Sequence, residues 1–228
     1  MSLVPDIKAV LFDLDGTLVD SLPEIHHGLV ELAREMGWPE PGMEDSAAMI
    51  GRGARVLVER YMAFAHRTGD VDELLSKLIG HWARSGGRNI GFYPGVLDGI
   101  RELRRNGVKT ALVTNKYRDL TLDFLKEHGI EDLFDTVVAG DDCENPKPAR
   151  DMLDRALSEL GVDRFHAVMV GDSRNDALAA RAAGVNAVLV ETGYNEGVNI
   201  RDWAREAGFN VVHTNARKVC DLINQGAL

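Results

Sequence analysis

The chain has 228 residues, 45% of them hydrophobic and 27% charged, with a formal net charge of −10. That length and apolar share allow one large or two small domains and exclude global disorder. The acidic balance argues against nucleic acid or an anionic membrane as partner, but leaves room for a small anionic substrate at a locally cationic site.

The first predicted element is a buried strand, Ala9–Phe12, which runs into "VLFDLDGTLVDS" (10–21). It ends in Asp13 and Asp15, two carboxylates with one residue between them, followed by Gly16 and Thr17. Alternate residues of an extended chain share a side, so the two acids would crowd one small space unless a cation neutralises them. Three helical patterns follow: "EIHHGLVELAREMG", "GARVLVERYMAFAHR" and "VDELLSKLIGHWARSG". A structureless loop of this length is implausible in a compact domain. The segment 20–92 is therefore expected to be a small α-helical insert, with 1–19 and 93–228 forming the core.

The rest of the chain alternates. A helix in "VLDGIRELRRNG" leads to a strand at 108–113, and one in "RDLTLDFLKEHGI" to a strand at 135–140. Helices in "ARDMLDRALSELGV" and "RNDALAARAAG" precede strands at 167–171 and 186–190, and a last strand covers 210–213. These strands are short, β-branched and almost continuously apolar, the pattern of a parallel sheet covered on both faces. Gly107, Gly129, Gly161 and Gly184 fit helix C-caps. The alternation predicts an α/β, doubly wound, Rossmann-like parallel-sheet core. Cys143 and Cys220 sit in no CxxC or zinc-like spacing and read as free thiols of a reducing cytosol. No apolar run has membrane-spanning length and no signal-peptide pattern opens the chain, so a cytoplasmic setting without membrane contact is expected.

Polar signals fall just beyond four predicted strands. Asp13, Asp15, Gly16 and Thr17 follow the first, and Thr114 and Asn115 the second. Lys147, in "NPKPAR", comes a short loop after the third; Asp172, with Asp176 one turn on, follows the fourth in "GDSRND". In a doubly wound sheet the C-terminal strand ends form the ligand crevice, so these groups converge on one edge. Asp13, Asp15 and Asp172 are hard oxygen donors suited to magnesium, and no His or Cys cluster supports zinc. Thr114, Asn115 and Lys147 can donate to a phosphoryl group, as can backbone amides around Gly16 and at the helix start near Ser173. A cation would relieve the carboxylate repulsion and let an anionic phosphate approach an anionic nucleophile. Asp176 also fits a first-turn acid favoured by the helix dipole, Asp141 and Asp142 fit a turn, and His26 and His27 fit a helix face.

"DLDGT", "VTN", "KP" and "GDSRND", in that order, resemble the four motifs of the haloacid dehalogenase superfamily. The resemblance implies that Asp13 is the nucleophile that forms an aspartyl-phosphate. It implies that Asp15 is the general acid and then the base. Mg2+ would be bound by Asp13, Asp172 and the backbone carbonyl of Asp15, with Asp176 in support, while Thr114 and Lys147 hold phosphoryl oxygens. An acid at Asp15 separates the chain from the dehalogenases and places it with the phosphate enzymes. The insert after the first motif resembles the superfamily's helical cap domain. "IGRGARVLVERYM" and "GYNEG" resemble the phosphoglycolate phosphatase group, which implies 2-phosphoglycolate as the small-molecule phosphate ester. Arg52, flanked by Gly51 and Gly53, is the cap residue best suited to a substrate carboxylate. A phosphosugar mutase of the β-phosphoglucomutase type would share the core and differ in the cap. A non-catalytic phospho-switch fits less well, because receiver domains carry their phosphorylated Asp after a later strand. Where relatives commonly read KPxP, this chain has Ala149 and Arg150 after Lys147-Pro148. A monomer or weak homodimer is expected.

Overall fold

A computed structural model describes residues 6–209 and 211–228. The first strand, β1 (Ala9–Phe12), is buried along its whole length, as its unbroken apolar run requires. A two-residue strand, β2 (Val19–Asp20), leads into α1 (Leu22–Met36), α2 (Met43–Met49), α3 (Gly53–Phe64) and α4 (Val71–Ser85). The chain returns through β3 (Gly91–Phe92), which pairs antiparallel with β2, Val19 opposite Phe92 and Asp20 opposite Gly91. Then follow α5 (Val96–Arg105), β4 (Lys109–Val113), α6 (Arg118–Glu127), β5 (Thr136–Val138), α7 (Asp151–Leu160), β6 (Ala167–Gly171) and α8 (Arg174–Ala183). β7 (Asn186–Val190), α9 (Ile200–Ala207), β8 (Val212–His213) and α10 (Ala216–Asn224) complete the order.

Among the described residues six strands form one parallel sheet in the order β5-β4-β1-β6-β7-β8. The strand order reverses at β1: the chain builds outward through β4 and β5, then crosses back to lay β6 on the other side of β1. Such a switch point opens a crevice beyond the C-terminal strand ends. The period of two sorts the core. Val10 and Phe12 of β1 join Leu112, Val168 and Val170 against Ile100 and Leu103 of α5 and Val219 of α10. Ala9 and Leu11 face the other way, with Val113 and Met169, against Met152 and Leu153 of α7 and Ala180 of α8. The segment between β2 and β3 has an apolar cluster of its own, including Leu29, Leu32, Val58, Tyr61, Leu74 and Leu78.

The predicted helix ends hold: Gly107, Gly129, Gly161 and Gly184 all take the left-handed conformation that stops a helix. Other details differ from the sequence reading. The strand expected at 135–140 is confined to Thr136–Val138. Of the strand expected at 210–213, Asn210 lies outside the described residues and Val212–His213 form β8. The reading also lacks α2, α9, α10 and the β2–β3 ribbon. With seven residues in α2 and eight in α9, two turns give too few apolar positions for a helical period to stand out. Cys143 and Cys220 are free. Among the described residues no helix is long and apolar enough to cross a membrane.

Candidate active site

Asp13 stands at the C-terminal end of β1, its own N–H still in the ladder with Val170 O at 3.0 Å. Its Oδ1 accepts from the Leu14 N–H at 2.7 Å and lies 2.9 Å from Lys147 Nζ. The chain then turns at Gly16, in the left-handed region at φ 84°, where a Cβ would fall 2.6 Å from Asp172 Oδ2. Glycine is thus required twice, for the turn and for the approach of a carboxylate. The Gly16 N–H donates to Val19 O at 2.8 Å. That corrects the expectation that Gly16 supplies an amide to phosphate: its donor is spent in the turn, and its contribution is space.

Lys147 is 3% exposed. Its ammonium donates to Asp176 Oδ1 at 2.6 Å and Val113 O at 2.7 Å besides facing Asp13, which uses all three of its protons. Asn115, expected to touch phosphate, does something different with its amide. Nδ2 donates to Lys147 O at 2.8 Å, and Oδ1 accepts from Lys147 N at 3.0 Å. The side chain clamps the lysine backbone to the end of β4. The Lys147–Pro148 peptide is cis. The Ala149 N–H closes a turn onto Pro146 O at 3.0 Å, and Arg150 pairs with Asp154 on α7. The departure from KPxP therefore sits on the outer side of the loop, away from the ammonium.

Asp172 follows β6 and is buried. Oδ1 accepts from Thr17 Oγ1 at 3.0 Å and Oδ2 from the Tyr194 N–H at 3.1 Å. Asp176 Oδ2 accepts from Ser173 N at 3.1 Å and Ser173 Oγ at 2.7 Å, completing a capping box at the start of α8. Each Asp176 oxygen has its own partner: Oδ2 caps α8, as a first-turn acid would, and Oδ1 pairs with Lys147. Thr114 is buried at the end of β4, and its Oγ1 accepts from the Lys116 N–H at 3.2 Å.

The expected crowding of Asp13 against Asp15 is not the main repulsion. The Asp15 carboxylate lies 3.5 Å from Lys116 Nζ, so each acid of the first motif has its own lysine. Burial, then the Asp176 charge, pushes the Asp13 carboxyl up to about 7 against the pull of Lys147, and Asp15 adds less than Asp176. Asp172 is held well above the usual carboxylate range by burial, then by Asp176 and Asp13. Burial alone would lower Lys147, but the Asp13 and Asp176 carboxylates outweigh it and hold the ammonium charged well past neutral pH.

Oxygens of Asp13, Asp172 and Asp176 lie within 4.8 Å of one another. Three carboxylates against one ammonium leave an excess of two negative charges in a buried space, the charge a divalent cation cancels. Hard oxygens, an unbalanced charge and raised carboxyl groups together fit such a cation. Asp176 already accepts from Lys147 and twice from Ser173, whereas Asp172 accepts one hydrogen bond on each oxygen and Asp13 Oδ2 accepts none among the described residues, so Asp13 and Asp172 are the acids better placed to ligate.

A cavity of about 140 Å³ opens over this cluster. Asp13, Asp15, Thr114, Lys116 and Asp172 line it from the strand ends, and Ile25, Leu57, Trp82, Tyr117 and Phe124 from the helices. Arg52 does not line it. Its guanidinium, 53% exposed, points to Glu196 at 3.4 Å. Arg60 reaches the same carboxylate at 2.9 Å, and Arg174 of α8 pairs with it too. Asn175 Nδ2 donates to Gly51 O at 2.8 Å, so the "GDSRND" turn also holds the loop before α3. Sequence reasoning missed Lys116, although it follows Thr114 and Asn115 directly. It named the "GYNEG" stretch without seeing that Tyr194 supports Asp172 or that Glu196 gathers three arginines.

The haloacid dehalogenase-like hydrolase family profile matches residues 10–190. The chain belongs to this family. Within this hydrolase family, it resembles a phosphoglycolate phosphatase of Aliivibrio fischeri, 35% identical over 203 residues, 86% of this chain and 89% of the relative. Phosphoglycolate phosphatase 1 of Pseudomonas aeruginosa is 36% identical over 225 residues, 96% of this chain and 81% of the relative. The crystal structure of a predicted phosphoglycolate phosphatase from Haemophilus somnus superposes with a TM-score of 0.85 at 26% identity, covering 93% of this chain and 96% of that one. A Thermotoga maritima structure assigned to the β-phosphoglucomutases, TM-score 0.75 at 23% identity and covering 96% and 99%, shares the fold. This hydrolase is thus a phosphoric monoester hydrolase by family and by its relatives.

Proposed function

We propose that this hydrolase is a magnesium-dependent phosphomonoesterase that works through an aspartyl-phosphate on Asp13, with 2-phosphoglycolate as substrate. The observation that carries the reading is the Asp13–Lys147–Asp176 triad beside Asp172: a buried nucleophile facing a buried ammonium, in a cluster of carboxylates whose unbalanced charge a divalent cation would cancel. Asp13 Oδ1 is engaged by Leu14 and Lys147, which supports attack on phosphorus through Oδ2. Asp15, tethered by Lys116 and lining the cavity, gives a proton to the departing alkoxide and then takes one from the water that hydrolyses the acyl-phosphate. Thr114 offers its hydroxyl proton to a phosphoryl oxygen, its lone pair being taken by the Lys116 N–H. Asn115 acts through Lys147, which it holds in place. Asp13, Asp172 and the Asp15 carbonyl are the groups that would hold magnesium, and Asp176 supports them through Lys147. When bound, the ion supplies positive charge that lets two anions meet.

The substrate carboxylate is suited to Lys116, the lysine that lines the cavity, rather than to Arg52. The reading takes 20–92 as a cap domain over a core of 1–19 and 93–228. The β2–β3 ribbon supports it as the stem, and a separate apolar cluster supports an independent body. Closing that body over the cavity would exclude bulk water. Two free thiols fit a reducing cytoplasm, and a monomer or weak homodimer suffices, since the described site draws on one chain. The test is phosphate release from a panel of small phosphate esters, with and without Mg2+, by the wild type and Asp13→Asn. The reading expects Mg2+-dependent release, highest for 2-phosphoglycolate, and none from the variant. Turnover that survives in Asp13→Asn overturns it.

A further inference from the structure

Three consecutive residues beyond β7, Thr192 to Tyr194, touch both the candidate site and the two arms of the β2–β3 ribbon. On the site side, Thr192 Oγ1 donates to Gly16 O at 2.7 Å, and the Tyr194 N–H donates to Asp172 Oδ2 at 3.1 Å. Between them, a Cβ on Gly193 would fall 1.7 Å from that same Asp172 oxygen. Any side chain there would displace the carboxylate, so the glycine leaves the space that Asp172 occupies.

On the ribbon side, the returning arm is held by Tyr93, which follows β3 and whose hydroxyl donates to Thr192 O at 2.6 Å. The departing arm is held by the Tyr194 hydroxyl. It accepts from the Ser21 and Leu22 N–H groups, both at 2.9 Å, and donates to Asp20 Oδ1 at 2.6 Å. Its one proton and two lone pairs are thereby all used. The two amides are among the orphan donors that open any helix. Ser21 stands at the capping position of α1 but makes no side-chain capping bond, and its buried Oγ has no partner among the described residues. A tyrosine from beyond β7 caps the helix in its place.

We propose that Tyr194 is a positioning residue that couples the cation side of the site to the helical segment, its amide orienting Asp172 and its hydroxyl fixing the start of α1. This rests on the reading of Asp172 as a magnesium ligand and of 20–92 as a cap, and adds the connection between them. Amide and hydroxyl belong to one residue, so a cation at Asp172 and the position of α1 bias each other. Such coupling is reciprocal: if the cation steadies the departing arm, loosening the arm must weaken the cation.

The test is Mg2+ affinity, read without turnover by calorimetry and by titrating the ion in thermal melts. Tyr194→Phe keeps the ring, the amide and every group that would hold the ion, and removes only the hydroxyl. Its Kd for Mg2+ should rise about fivefold or more, the lower end of coupling between sites. Tyr93→Phe, on the returning arm, should move Kd the same way. Ser21→Ala removes an unpartnered hydroxyl from the same place and should leave Kd unchanged. Hydrogen exchange reads the link from its other end. The Ile25 N–H, which donates to Ser21 O at 3.0 Å in the first turn of α1, should exchange several-fold more slowly with Mg2+ in the wild type, and Tyr194→Phe should lose that slowing. A hydroxyl with a merely structural role would lower stability and leave Kd where it was. Wild-type Mg2+ affinity in Tyr194→Phe, or in Tyr93→Phe should the first variant not fold, therefore overturns the proposal. So does Ile25 exchange that Mg2+ leaves unchanged in a wild type that binds it. If the wild type binds no Mg2+, the cation reading fails first and this inference with it.

Discussion

Two buried carboxylates near α8 show how differently one kind of group can be used. Asp176 is held entirely by the core: Lys147 on one oxygen and the Ser173 cap on the other. Glu196 is held across a seam. Arg52 and Arg60 reach it from the helical segment and Arg174 from α8. In the first cluster negative charge is in excess; in the second, positive charge is. The first is built from the ends of neighbouring strands, whose spacing the sheet fixes. The second joins elements that are separate in the chain and belong to separate apolar clusters. The cluster of the candidate site rests on the sheet, whereas the seam is held by ion pairs and the Asn175–Gly51 hydrogen bond.

The largest expected effects fall on the core cluster. Lys147→Met should leave Asp13 and Asp176 buried without their cation. The expected loss is about 3–5 kcal/mol of stability together with nearly all activity, read by urea denaturation and phosphate release. A variant as stable as the wild type would show that the pair carries no such charge. Asp15→Asn should keep the fold and cut kcat by about 10²–10⁴, the range for a lost general acid, most for esters with poor leaving groups.

A pH effect follows from Asp13. Its carboxyl stands at about 7 in the folded protein, above the roughly 3.9 of an unfolded aspartate. Between those values the folded state holds a proton that the unfolded state has lost. This group's contribution is therefore full below the lower value and is lost as pH rises through the upper one. A divalent cation takes the place of that proton. Mg2+ should raise Tm clearly at pH 8 and little at pH 5; equal gains at both, in thermal melts against EDTA, would count against the cluster as the metal site.

At the seam the effects should be smaller. Glu196→Gln removes the shared counterion of three arginines and is expected to cost about 1–2 kcal/mol, within the range of ordinary single substitutions, with KM rising more than kcat falls. Arg52→Ala should cost less than about 1 kcal/mol, as an exposed pair does, and should barely change kcat/KM for 2-phosphoglycolate. A large rise in KM there would restore the role that sequence alone suggests for Arg52.

That contrast also marks what the sequence discloses. The strand ends were legible because a buried strand has a forced direction: after "AVLF" the next polar groups must emerge at the crevice, and so Asp13, Asp15, Thr114, Asn115, Lys147 and Asp172 were found from residue type and order. What each does with its atoms was not. That Asn115 clamps the lysine, and that Gly16 contributes space, depend on distances which no spacing encodes. The seam was least legible. Glu196 and the arginines are far apart in the chain, and a guanidinium beside a glycine-rich loop looks the same whether it turns to substrate or to another side chain.

In the proposed mechanism Asp13 takes the phosphoryl group. Rapid quenching of the enzyme with 2-phosphoglycolate and Mg2+, borohydride reduction of any acyl-phosphate and peptide mass spectrometry test it directly. Homoserine is expected in place of aspartate at position 13; reduction at another carboxylate, with Asp13 intact during turnover, would rule Asp13 out as the nucleophile.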